Sequence, residues 1–229
     1  MRKVIFLLFT IHCSLFAHAQ DMTVLVNKVK AKLDQVNDYE AEGRLKTYVA
    51  FIKAPVGKVK VYFKKPSMFR LKKDGGISLL PKGGVSVNMN SIFAMSDFVA
   101  LAAGEAVVDG AKTKIVKLLP GNENSDIVLT TMYIDEANLL VKKAVTTTKE
   151  NGTYEIEMSY GKFAQYGLPD KVVFNFNTKD YKLPKGLTLE FDEEKPKTEA
   201  EKLKNRKGKV EITYTNYIVN KGIPDSVFK

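Results

Sequence analysis

Side chains that usually attack, ligate metals or shuttle protons are nearly missing from this sequence, and the few present share one stretch. The two histidines are His12 and His18, and the single cysteine is Cys13. Around them, Arg2 and Lys3 precede an apolar run from Val4 to Phe16, followed by Ala17-His18-Ala19. That is the layout of a secretory signal with a small-x-small cleavage site. Residues 1–19 are therefore expected to be removed, leaving a chain that starts at or near Gln20. The apolar run falls short of the roughly 20 residues that a membrane span needs. Cys13 follows Thr10-Ile11-His12 in place of the small residues of a lipid-attachment site, and reads as part of the signal. Beyond it, neither a Ser-His-Asp or Cys-His nucleophile nor a zinc site of His and Cys can be assembled, and disulfides are excluded. Carboxylate or lysine chemistry survives, so an enzyme is disfavoured. No metal and no cofactor is expected. Gly75-Gly76 and Gly83-Gly84 lack the Gly-Lys-Ser/Thr of a phosphate loop, which argues against ATP binding.

Charge narrows the partners. The chain carries a formal +10, and removing Arg2 and Lys3 leaves +8. Such a balance often marks nucleic-acid binding, but export argues against nucleic acid and towards anionic membrane surfaces or acidic proteins. Lysines alternating with apolar residues also describe an ordinary solvated sheet face.

The elements that would position a site follow from periodicity. Met22, Leu25, Val26, Val29, Leu33 and Val36 recur at three- and four-residue steps opposite lysines, predicting an amphipathic helix over 22–36. The period then drops to two. Leu45, Thr47, Val49 and Phe51 alternate with polar residues, as do Val59, Val61 and Phe63 with lysines, and Phe69 and Leu71 with Arg70 and Lys72. Met89, Ile92, Phe93, Met95, Phe98, Val99 and Leu101 break the alternation and read as short helices or an irregular loop, rich in adaptable methionine. Strands resume at 115–118, 127–134, 139–148, 154–160, 172–176, 187–191 and 210–217, with turn residues between them. Residues 192–209 hold 12 charged side chains in 18 positions, 5 acidic and 7 basic, and are expected to be a solvated hairpin tip. The fold class predicted is α+β. A single domain over 20–229 would consist of a large curled antiparallel sheet, a half-open barrel, closed by the N-terminal helix and the mid-chain helical segment.

Three places carry a family likeness. Val61-Tyr62-Phe63-Lys64-Lys65-Pro66-Ser67-Met68-Phe69-Arg70 resembles the early strand and basic-Pro-x-x-Phe element of LolA-type lipoprotein carriers, in the LolA/LolB superfamily. The stretch from Met132 to Val141 is similar to that family's central hairpin, and Asn216 to Phe228 to its C-terminal strand. The resemblance implies a periplasmic, soluble carrier that binds acyl chains of lipoproteins, or another acylated lipid, in a hydrophobic cavity. It further implies an inner-membrane ATP-driven release complex as donor, an outer-membrane acceptor, and no catalysis; a monomer is expected. On this reading Leu45, Val49, Phe51, Val59, Val61, Phe63, Phe69 and Leu71 line the cavity. Leu25, Val29, Leu33, Val36, Met89, Ile92, Phe93, Met95 and Phe98 form its cover. Lys65 and Pro66 stand where carriers often have arginine before the proline, making them candidates for contact with the closing helix. Two other readings compete: an envelope lipid sensor of the RseB type, and an exported lipid-modifying hydrolase using Asp and Glu.

Overall fold

The computed structural model describes residues 22–48, 56–73, 97–150, 152–177 and 207–228. One helix, α1 (Met22–Leu33), precedes ten strands: β1 (Asp38–Tyr48), β2 (Gly57–Lys64), β3 (Met68–Lys73), β4 (Phe98–Val108), β5 (Ala111–Pro120), β6 (Ile127–Asp135), β7 (Leu140–Thr148), β8 (Gly152–Ser159), β9 (Lys171–Asn177) and β10 (Lys207–Val219). They form one sheet in the order β3-β2-β1-β10-β9-β8-β7-β6-β5-β4, with antiparallel neighbours throughout. Every neighbour is also next in sequence except at one seam, where β10 lies between β1 and β9. The sheet does not close; β3 and β4 are its two ends.

The position of α1 requires the sheet to curl. It runs into β1, third in the order, yet packs on β4, which is tenth. Flat strands seven places apart would lie about 34 Å from one another, and a 12-residue helix spans only about 18 Å. The sheet therefore wraps around the helix, which buries Met22, Leu25, Val26, Val29 and Leu33.

Register decides which side chains share the inner face. Tyr39, Ala41 and Gly43 lie opposite Phe63, Val61 and Val59 on one side, and opposite Val219, Tyr217 and Tyr214 on the other. Across the seam the inner face continues through Ile212, Val172, Met158, Phe174, Ile156, Ala144, Met132 and Val116, all buried. A β-bulge between Glu42 and Gly43 shifts the β1–β10 pairing. A Cβ at Gly43 would sit 2.6 Å from the Thr213 carbonyl oxygen, so the close approach of strands there requires glycine.

Four expectations are corrected. The helix ends at Leu33, where the bond from Gln35 N–H back to Lys32 tightens the chain into a turn, so Val36 is buried beyond the helix. Phe98, Val99 and Leu101 belong to strand β4 and not to a helical cover, because the ladder with β5 pairs Phe98 with Pro120 and Leu101 with Lys117. Lys207 to Lys209, expected in the charged tip, open β10 by pairing with Asn177, Phe176 and Asn175. Leu139 stands in a turn at φ 51 before β7, not in the strand. The signal, residues 187–191, the rest of 192–206 and Met89, Ile92, Phe93 and Met95 lie outside the described residues.

Candidate functional site

The concave face is apolar along nearly its whole length, and its two ends differ. At the end where β1 starts, an aromatic cluster fills the space. Tyr39 lies 5.4 Å from Phe63 and 5.5 Å from Tyr217, whose ring is also 5.0 Å from both Tyr214 and Phe163. The Tyr217 hydroxyl donates to the Pro169 carbonyl at 2.8 Å, and that of Tyr160 to Val141 at 2.8 Å. Burial pushes the phenols of Tyr39, Tyr160, Tyr214 and Tyr217 well above their ordinary value.

Polar contacts fasten α1 at this same end. The Lys65 ammonium donates to the Asp34 carbonyl and pairs with the Asp34 carboxylate at 3.7 Å, while its own N–H donates to Asn37 O at 2.9 Å. Asn220 accepts from the Asn37 N–H at 2.7 Å and donates to Gln35 O at 2.9 Å. Lys32 donates to Asn138 O at 2.7 Å; partial burial lowers its pKa, and the Asp135 carboxylate opposes that. Carbonyls left over at a helix C-terminus are satisfied in this way by cationic and amide donors. Pro66 follows Lys65 and is exposed in the turn to β3.

Both ends carry partly buried apolar residues packed against the core, Phe69, Phe163, Tyr166 and Val219 at this one and a second group at the opposite one. Leu71 on β3, Ile127 on β6, Tyr154 on β8, Phe176 on β9, and Phe98 and Ala100 on β4 are only partly buried while packed against the core. Phe174 joins two of them, 5.4 Å from Tyr154 and 5.2 Å from Phe176, forming an aromatic shelf.

The structure thus brings Leu45, Val59, Val61 and Phe63 together on the concave face, beneath an apolar stripe that includes Leu25, Val29 and Leu33. Phe69 and Leu71 lie on the same face, opposite Phe63 and Val61, and are partly buried. Val49 and Phe51 lie outside the described residues. Val61 is 0% and Phe63 1% exposed, so both are enclosed by the core around them. Sequence reading missed Ile127, Tyr154 and Phe176. The alternation Tyr154-Glu155-Ile156-Glu157-Met158, with Phe174-Asn175-Phe176, was the signal that could have found them.

No family model matches the sequence, and no curated protein matches it. Solved structures do. A DUF1329 family protein from Desulfovibrio piger superposes with a TM-score of 0.55 at 12% identity, over 91% of this chain and 97% of the other. A LolA superfamily protein from Nitrosomonas europaea gives 0.52 at 10% identity, over 89% and 97%. The chain has a LolA-type fold. A putative outer membrane lipoprotein-sorting protein domain from Vibrio parahaemolyticus agrees, with a TM-score of 0.53 at 10% identity over 90% and 94%. At such identities the likeness is one of fold. In this LolA-type fold α1 and the turn at Ala164–Tyr166 lie over the concave face, and a Cβ at Gly167 (φ 68) would sit 2.7 Å from a Leu33 methyl. Among the described residues no helix is long and apolar enough to cross a membrane.

Proposed function

We propose that this protein is a periplasmic carrier that shelters the acyl chains of lipoproteins in its concave face and moves them from the inner to the outer membrane. The observation that carries the reading is the closure itself: a wide apolar sheet face covered, among the described residues, by one short helix and the turn at Ala164–Tyr166, with polar bonds at the helix's C-terminal end. Each methylene kept from water is worth about 0.8 kcal/mol, so a dozen exposed in transit would cost about 10 kcal/mol. Acyl chains therefore need a cover of this kind. Because Val61 and Phe63 are sealed, cargo enters past partly buried residues, Leu71, Ile127, Tyr154, Phe176 and Phe98. It advances as α1 lifts from the sheet, the hydrocarbon replacing Leu25, Val29 and Leu33 there. The same fold in a domain described as lipoprotein-sorting supports the reading. On this reading residues 1–19 are a signal removed on export, and an ATP-driven inner-membrane complex and an outer-membrane acceptor are the partners. Release and capture are the work of those partners, and no bond of the cargo is broken.

The test is mass spectrometry of the protein purified from its native envelope, together with its organic extract. Triacylated peptide recovered intact is the expected result. Absence of any hydrophobe, with no uptake of added lipid, would sink the carrier; chemically altered labelled lipid would replace it with an enzyme.

A further inference from the structure

The convex side of the sheet is not uniform. At the β3 end, Arg44 lies directly opposite Lys58, and Lys60 directly opposite Lys72. Like charges facing each other across a ladder destabilise a sheet, so their placement here costs stability. Lys46 and Lys209 extend the patch to six cations against Glu40, Glu42 and Glu211, while Lys64 and Arg70 of the same face are engaged by the C-terminal segment, Lys64 with Asp225 at 2.6 Å and Arg70 with the Val227 carbonyl at 2.9 Å. Lys60 pairs with Glu40 at 3.3 Å and Glu42 at 3.0 Å, which raise its pKa to about 12. Lys209 lies 3.9 Å from Glu211. Among the described residues none of Arg44, Lys46, Lys58 and Lys72 has a carboxylate within ion-pair distance. At the other end of the same convex side, Val99, Leu101, Leu119 and Val128 are exposed. If the lysines served solubility alone, that apolar end is where they would be needed.

We propose that the convex face of β1, β2, β3 and β10 is a docking surface for an anionic lipid bilayer. Of the six cations on this face that the C-terminal segment does not engage, five are lysines; a site built for carboxylates on a protein would favour the bidentate fork of arginine. Tyrosines lie among them: Tyr48 is 52% exposed with Lys209 5.7 Å above its ring, and Lys72 stands 5.4 Å over Tyr62. Val56, 57% exposed, sits just ahead of β2. Lysine, tyrosine and a projecting apolar residue are the composition of a surface that rests at headgroup level. Docking here leaves the concave face free, so this inference stands or falls separately from the cargo reading.

The experiment is flotation of the full chain with vesicles of phosphatidylcholine alone or containing about 30% phosphatidylglycerol, at about 0.05 M and about 0.5 M salt, which shortens the screening length about threefold. Binding to the anionic vesicles only, lost at high salt, is expected. The triple variant Arg44→Gln, Lys58→Gln, Lys72→Gln should lower partitioning about a hundredfold, at about fivefold per cation, with a melting temperature equal to or above the parent's. The triple variant Lys28→Gln, Lys112→Gln, Lys117→Gln removes the same net charge elsewhere and should bind within about threefold of the parent. Equal loss in both triples would reduce the effect to net charge and overturn the site. So would a folded site variant that still floats, or no binding of the parent to anionic vesicles at low salt. Lipid extracted from the site triple should match the parent's, which keeps the cargo question apart.

Discussion

Lys65 joins the turn before β3 to the end of α1 through one ammonium, and its effect is local. Its partners, the Asp34 carbonyl and carboxylate, lie just past the C-terminal end of the helix. Lys65→Met should cost about 1 kcal/mol, with faster amide exchange confined to residues 22–36 and unchanged exchange in β5–β7. Arginine at this position should restore protection. Uniformly altered exchange would mean that Lys65 supports the whole sheet instead of the helix. The buried tyrosines make a second prediction. Their phenols are held above the ordinary value by burial, so they stay neutral in the fold but ionise near pH 10 once the chain unfolds. The unfolded state then binds fewer protons. Stability from this source is complete below about pH 10 and is lost as pH climbs from there towards the folded values. Urea midpoints at about pH 8, 10 and 11 should fall across the last interval, and Tyr160→Phe should shallow that fall. Midpoints that do not move between pH 10 and 11 would contradict the burial of these groups.

Among the elements, β2 was the most legible in the sequence and β4 the least. In β2, Val59, Val61 and Phe63 point inward and Lys58, Lys60 and Tyr62 outward, so the alternation maps directly on the two faces. The inward residues fit so closely that Val61→Glu would bury an unpaired carboxylate between Ala41 and Leu71, a cost of several kcal/mol. The variant is expected to lose its far-ultraviolet strand signal, not merely its ligand; a folded, lipid-free Val61→Glu protein would show that space exists there. Phe63→Ala should cost about 3 to 5 kcal/mol by urea titration. Strand β4 was illegible because both its faces are apolar or small: Ala100 and Ala102 inward, Val99 and Leu101 exposed outward, and Glu105 its single charge. With no polar face there is no period to read, and an apolar run resembles a helix or a loop. The candidate site was legible to the same degree. Its part on β1–β3 alternates against lysine, whereas on β8 and β9 Tyr154 and Phe176 alternate with Glu155 and Asn175 in a pattern that marks the inner face but not which inner residues are only partly buried.

For the whole molecule the decisive feature is the seam. Ile212 on β10 faces inward beside Leu45 of β1 and Val172 of β9 and is buried. Ile212→Ala should cost about 3 kcal/mol, while Val99→Ala on the exposed face should stay within about 0.5 kcal/mol. Because β10 alone joins β3-β2-β1 to the other six strands, the parent should unfold in one transition seen alike by circular dichroism and tyrosine fluorescence. Two separated transitions would show that the strips on either side of β10 hold without it.

That seam also orders events in time. A ribosome delivers β1 early and β10 late, so Tyr39 has to wait for Val219 before its ladder is complete. Until then β1 presents a bare edge and α1 has no finished floor beneath it. The chain is therefore barred from maturing piecemeal, and an unpaired strand edge stays exposed throughout this interval.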